Sequence, residues 1–253
     1  MCPEFTIFGV QVSTYLLSVG VGIAAVCVFN AFRRKKAGLK RWELVLLLAL
    51  CLTLFLVFSR AFAVLARICE RAVTTENFWQ KALHGGMVLY GGMFGALTGC
   101  ALFALIRRRK IRPVMDFFAP SIALSFAFAR LGCMLEGCCY GIETGWGIPN
   151  AHFPGKLLFP AQPIEVIWNL ILFAALLIRA KKRGNDRYSL EICMAGYAVC
   201  RFVLDFFKAE HGQGFLPFGL TFSQDISLIV LTFVIVECAA IAIRKARGRR
   251  KIE

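Results

Sequence analysis

Seven apolar runs, each about long enough to cross a lipid bilayer, constrain this chain more than any other feature of its sequence. They cover approximately residues 11–32, 44–66, 85–106, 114–135, 161–178, 190–208 and 220–243. A hydrocarbon layer roughly 30 Å thick needs about 20 predominantly apolar residues per helical crossing. Inside such a layer only structures that satisfy every backbone polar group internally survive, and here that means helices. With 58% hydrophobic residues in 253, the composition agrees with an all-α, polytopic membrane protein. The charge follows the same plan. Arg33–Arg41, Arg107–Arg112, Arg179–Arg187 and Arg244–Lys251 bound four basic clusters that hold 22 of the 30 Lys and Arg residues. Each cluster follows every second run, so the positive-inside rule makes all four cytoplasmic. The expected topology is seven transmembrane helices, with the N-terminus outside and the C-terminus cytoplasmic. Residues 1–253 form one integral membrane domain, and residues 137–160, which lack helical periodicity, form an ordered outer-face loop. The first ten residues have no basic n-region, so no cleaved signal peptide is expected. A net charge of +15 does not signal nucleic acid here, because no soluble domain exists to present it.

Polar residues inside these runs mark the candidate site. Arg130 lies near the end of the fourth run, where an unpaired guanidinium is costly. Gly132, Glu136 and Gly137 follow it closely. In the sixth run Arg201, Asp205 and Lys208 fall at i, i+4 and i+7 on one helical face, with Tyr197 a turn earlier. Gln162, Glu165 and Asn169 share a face of the fifth run, and Gln224 and Asp225 open the seventh. Two arginines directed at one interior suit an anionic headgroup, since each offers phosphate a planar fork of donors. Structural readings stand beside these. Arg201 and Asp205 also fit an intrahelical pair, and Arg130 also fits a simple ion pair with Glu136 or Glu165. The glycine row of the third run (Gly85, Gly86, Gly91, Gly92, Gly95 and Gly99) reads as helix packing. His84 reads as an interfacial residue. Cys133, Cys138 and Cys139 cluster at the outer end of the fourth run, short of the four ligands of a usual zinc site. Packing is the preferred reading for them, with a disulfide from Cys133 to Cys138 or Cys139 as the alternative, and no metal site is expected.

Six collinear segments resemble the prolipoprotein diacylglyceryl transferases of the bacterial cytoplasmic membrane. Ser13-Thr14-Tyr15 is similar to the start of that family's first span. Gly85-Gly86-Met87-Val88-Leu89-Tyr90-Gly91-Gly92 is similar to its paired-glycine motif. Arg130-Leu131-Gly132, followed by Glu136-Gly137, resembles its Gly-Arg-x-Gly-Asn signature. Pro160-Ala161-Gln162-Pro163-Ile164-Glu165 matches its Pro-x-Gln-x-x-Glu stretch. Gly196-Tyr197, Arg201-Phe202 and Asp205-Phe206-Phe207-Lys208 follow its Gly-Tyr, Arg-Phe and Glu-Phe-x-Arg pattern. Leu220-Thr221-Phe222-Ser223-Gln224 completes the series.

The resemblance implies a transferase that moves the diacylglyceryl group of phosphatidylglycerol onto the cysteine thiol of a prolipoprotein lipobox, releasing glycerol phosphate. It implies an inner-membrane location, the bilayer, phosphatidylglycerol and the lipobox peptide as partners, and no cofactor. By the same analogy Arg130, Arg201, Tyr15, Gly132 and Gln162 bind substrate, and Tyr90, Asp205, Glu136 and Glu165 serve the chemistry. Four places depart from the family. Tyr90 stands where histidine is common, Cys133 replaces the signature asparagine, Cys138-Cys139-Tyr140-Gly141 is not its usual continuation, and Phe159 replaces histidine before Pro-x-Gln. These changes lie on the acceptor and base side, while both arginines are kept. A related lipid transferase with another acceptor, or a non-catalytic lipid-binding or transport protein, are the alternatives.

Overall fold

A computed structural model describes residues 4–7, 10–69, 88–150, 153–184, 186–209, 215–216 and 219–249. Among them the chain forms seven helices: α1 (Thr14–Arg33), α2 (Arg41–Cys69), α3 (Leu89–Ile106), α4 (Ile111–Glu136), α5 (Ala161–Arg183), α6 (Ser189–Asp205) and α7 (Phe222–Arg249). Two antiparallel hairpins accompany them, β1 (Glu4–Ile7) with β2 (Val10–Ser13) and β3 (Glu143–Asn150) with β4 (Phe153–Leu158). The all-α expectation is corrected by these hairpins. The outer loop of residues 137–160 is mostly a β-ribbon, whose own ladder satisfies backbone groups that a membrane helix would satisfy internally. The first helix likewise starts at Thr14, because residues 11–13 belong to β2. His84, Gly85 and Gly86 lie outside the described residues.

Six of the seven helices are long and apolar enough to cross a membrane. Helix α6 is not among them. Its 17 residues include Glu191, Arg201 and Asp205, so both its length and its polarity fall short of an ordinary lipid-facing span. It nevertheless rises about 25 Å at 1.5 Å per residue, and it runs the length of the bundle. Glu191 at its start meets Arg112 at the start of α4, while Asp205 at its end lies among residues from the end of α4 and the start of α5.

Helix α4 is the axis of the packing. Fifteen of its 26 residues are buried, and it lies against α1, α3, α5 and α6. Asn30 of α1 donates to Ser121 Oγ of α4 at 2.8 Å, and Ser18 donates to the Phe128 carbonyl at 2.8 Å. In hydrocarbon such interhelical bonds hold helices that the hydrophobic effect does not drive together. Helices α2 and α3 approach through the glycine row. A Cβ on Gly95 would meet the Leu54 carbonyl oxygen at 2.1 Å, and one on Gly99 would meet the Cys51 Cα at 2.8 Å. The described part of that row is therefore a packing device. Large apolar side chains such as Leu16, Val28, Val45 and Ile235 point outward, as expected of a lipid-solvated bundle.

Salt bridges gather the basic helix ends at one end of the bundle. Arg33 reaches Asp186 at 2.7 Å, and Arg107 and Arg109 reach Glu43 at 3.0 and 3.1 Å. Arg112 pairs with Glu191 and Glu237.

Candidate active site

At the opposite end the polar residues of α4, α5 and α6 meet. Each is there because a helix brings its last or first two turns to that level. Arg130 sits two turns before the end of α4, which closes at Gly137 in the left-handed conformation (φ 83°), a C-cap that glycine adopts without steric cost. Glu165 lies in the second turn of α5, whose N-cap is Pro160. Arg201 and Asp205 close α6.

Glu165 is the hub. One of its oxygens pairs with Arg130 Nε, and the other receives Arg201 Nη1 at 3.0 Å and Lys208 Nζ at 3.2 Å. Asp205 braces the same cations, lying 2.9 Å from Arg201 Nη2 and 3.7 Å from Lys208 Nζ. Thr221 donates to the other Asp205 oxygen, and Arg201 Nη2 donates to Ser223 Oγ at 3.1 Å, so the start of α7 joins the group. Glu165 is 2% exposed, Asp205 4%, Arg130 6% and Lys208 7%. Within this network three cations face two carboxylates. The excess is one positive charge in a place where uncompensated charge is costly, and it suits one anionic ligand group.

The expected stripe on α6 needs one correction. Lys208 does not continue the helical face, because α6 ends at Asp205. The chain turns there, with Phe207 N–H donating to the Leu204 carbonyl at 3.1 Å. Residues 207–209 then run beside the segment that follows α4. Ile142 N–H donates to Phe207 O at 2.9 Å, Ala209 N–H donates to Tyr140 O at 3.3 Å, and Gly141 bridges Lys208. That pairing delivers the ammonium to Glu165. Spacing already grouped Lys208 with Arg201 and Asp205, whereas nothing in its spacing singled out Ser223. The Asp205-x-x-Lys208 interval was the available signal.

The other expected site residues fall into three places. Gln162 and Asn169 share Glu165's buried face, and Gln162 Nε2 donates to the Cys138 carbonyl at 2.8 Å, tying α5 to the segment after α4. Gly132 lets α1 approach, since a Cβ there would lie 3.0 Å from Tyr15 Cδ2 and 3.3 Å from Ser18 Cβ. Tyr15 in turn lines an apolar cavity of about 610 Å³ between α1, α2, α3 and α4, bounded also by Gly22, Val26, Leu48, Phe55 and Phe128. Tyr90 is 1% exposed; its hydroxyl bonds Ser227 Oγ at 2.6 Å and its ring stands edge-on to Tyr197 at 5.1 Å. Glu136 lies past Arg130 at the end of α4 and accepts from the Cys138 thiol at 3.8 Å. Arg130 thus pairs with Glu165, one of the two partners open to it in the sequence.

Known proteins resemble this chain over nearly its whole length. The family model described as prolipoprotein diacylglyceryl transferase matches residues 4–240. A Clostridium perfringens protein named phosphatidylglycerol–prolipoprotein diacylglyceryl transferase 2 is 26% identical over 97% of this chain and 96% of its own length. A Clostridium tetani protein named as such a transferase is 26% identical over 90% of this chain and 92% of its own. One from Legionella pneumophila strain Corby is 31% identical over 60% of this chain and 61% of its own. On the match across residues 4–240, together with its membrane-spanning helices, this chain belongs to the prolipoprotein diacylglyceryl transferase family.

Proposed function

We propose that this protein transfers the diacylglyceryl group of phosphatidylglycerol to the cysteine thiol of a prolipoprotein lipobox, in the bacterial inner membrane. The observation that carries the reading is the buried network around Glu165, with its single excess positive charge, close to an apolar cavity. A phosphatidylglycerol phosphodiester supplies one negative charge, and its acyl chains suit the cavity that Tyr15 borders.

Arg130, Arg201 and Lys208 hold the phosphate in this mechanism, and Gln162 and Gly132 keep their segments in register around it. The acceptor must react as thiolate. Its sulfur bonds to the glyceryl carbon that carries the phosphate ester, and the C–O bond breaks with its electron pair passing to the phosphate oxygen. A thioether forms and glycerol phosphate leaves. The leaving group gains a negative charge during this step, so the three clustered cations bind the transition state better than the ground state. When the guanidinium groups turn toward the phosphate, Glu165 gives up partners and takes the thiol proton. Asp205 holds Arg201 and Lys208 in place throughout. Tyr90, in the family's histidine position, supports the Tyr197 side of the site through its bond to Ser227.

The same reading implies a topology. Four basic clusters face the cytoplasm only if α6 also crosses, giving seven spans with the N-terminus outside. The buried charges of α6 are tolerated because Glu165 and Arg112, on neighbouring helices, pair with them. The Glu165 network then lies in the outer half of the membrane.

Radiolabelled phosphatidylglycerol incubated with a lipobox peptide and membranes carrying the protein tests the assignment. Label appearing on the peptide in thioether linkage is the expected result. Donor consumed without peptide labelling would point to a different acceptor. Donor bound but never consumed would make the protein a lipid-binding one.

A further inference from the structure

The three cysteines at the end of α4 are arranged for more than packing. Gly137 reverses the chain there, so that both Gly137 N–H and Cys138 N–H donate to the Cys133 carbonyl, at 2.9 and 3.1 Å. Cys139 follows with φ at 57°, a left-handed backbone that a β-substituted residue seldom adopts. The result is that the sulfurs of Cys133, Cys138 and Cys139 all lie within 4.8 Å of one another. Glu136 stands on the same side, its Oε2 3.8 Å from Cys138 Sγ.

We propose that Cys133, Cys138 and Cys139, with Glu136 as fourth ligand, bind one thiophilic d10 cation, Zn²⁺ being the ion that the donor set fits best. Soft thiolates select such ions, and one carboxylate completes a four-coordinate tetrahedral shell. With Zn–S bonds of about 2.3 Å, tetrahedral geometry sets sulfurs about 3.8 Å apart. The three sulfurs, now within 4.8 Å of one another, reach that spacing by side-chain movements on the order of 1 Å, and Glu136 turns in from beside Cys138 as the fourth donor. A disulfide uses two sulfurs, whereas here three converge on one point and all three are free thiols. Cys139 is exposed and Cys138 half-buried, so an ion has a way in, while Cys133 is 9% exposed and anchors the site to the helix.

Bound metal acts here as a clamp on the neighbouring segments. Cys133 is one turn beyond Arg130. Cys138 offers the carbonyl that Gln162 holds, and the segment that starts at Cys138 pairs with the one carrying Lys208. An ion joining Cys133 to Cys138 and Cys139 fixes the end of α4 to both.

The test uses the full chain, purified in detergent under reducing conditions, titrated with Cd²⁺ as spectroscopic probe and with Zn²⁺. The expected result is saturation at one equivalent, with thiolate-to-Cd²⁺ charge-transfer absorption. Zn²⁺ competes for the site, and intact mass after alkylation shows three fewer adducts when Zn²⁺ is present. Because a triple serine variant can fail to fold, the exposed Cys139→Ser and the conservative Glu136→Gln serve as controls. Cys139→Ser reduces the protected thiols to two at most and weakens Cd²⁺ binding at least tenfold. Glu136→Gln keeps the absorption band and loses affinity. No saturable one-to-one binding by the reduced wild type overturns the proposal, as does unchanged binding by Cys139→Ser. Unchanged affinity in Glu136→Gln removes the carboxylate from the ligand set. All readouts are of metal, so their outcome is independent of whether the protein transfers lipid.

Discussion

The two ends of the bundle each hold buried carboxylates with several cations around them, and they differ in the cations. At the basic end Glu43, Glu191 and Asp116 have side chains 3%, 4% and 5% exposed, but their partners Arg107, Arg109 and Arg112 are 34%, 32% and 37% exposed, and the one deeper cation, Arg33 at 13%, is matched by Asp186. Those guanidinium groups bury their stems and leave their heads near water. At the opposite end Glu165 and Asp205 are as deeply placed, and Arg130, Arg201 and Lys208 are only 7%, 13% and 9% exposed. A cation that can reach water needs no ligand. One that cannot must be matched inside the protein or by what the protein binds. Under the proposed function, the first end orients the chain in the membrane and the second binds an anion.

Glu165→Gln should give the largest effect, since it removes the carboxylate shared by three buried cations. Breaking a buried pair costs roughly 3–5 kcal/mol. We expect transfer to fall at least a hundredfold and the detergent melting temperature to drop. Retained activity and stability would dissolve the distinction between the two ends. Lys208→Met comes next. Losing one charge-assisted bond costs roughly 1.5–3 kcal/mol, or about ten- to a hundredfold in rate. The protein's preference for binding anionic over zwitterionic lipid should weaken in parallel. A loss of rate without that change in lipid preference would place Lys208 outside the phosphate site.

Gly95→Ala probes packing without charge. Its methyl group would press on the Leu54 carbonyl, and overpacking of this kind costs about 1–3 kcal/mol. A lower melting temperature with activity per folded molecule unchanged is expected. At the small end, Arg107→Lys or Arg109→Lys should alter transfer by less than about threefold, because half-exposed pairs contribute only ~0–1 kcal/mol. A large loss there would show that the basic end does more than orient the chain.

The sequence carried the apolar helices, because hydrocarbon thickness sets run length, while the seven-span topology drawn from the basic clusters is a proposal. It also carried Arg130, Arg201, Glu165 and Gln162, since charges within apolar runs are conspicuous and helical spacing showed which share a face. What it did not carry depends on tertiary pairing. The choice of Glu165 over Glu136 as the partner of Arg130 is made by helix packing between α4 and α5. Lys208 joins the cluster through a backbone bridge to Gly141, which no local period encodes. The hairpin at Glu143–Leu158 was hidden because its strands contain Gly145, Gly147, Pro149 and Pro154, residues that read as loop.

The central claim is that the deep cations bind the donor phosphate. Its most direct test is diacylglyceryl transfer from labelled phosphatidylglycerol in membranes holding equal amounts of wild type, Arg130→Ala, Arg130→Lys and Arg201→Ala. Removing one partner of a buried, hydrogen-bonded charge pair costs about 2–5 kcal/mol, so each alanine variant should lose roughly 30- to several-thousand-fold in rate. Arg130→Lys should be nearly as damaging, because an ammonium lacks the planar fork that grips phosphate. Near wild-type transfer by both alanine variants would contradict the account and leave the two arginines as structural partners of Glu165.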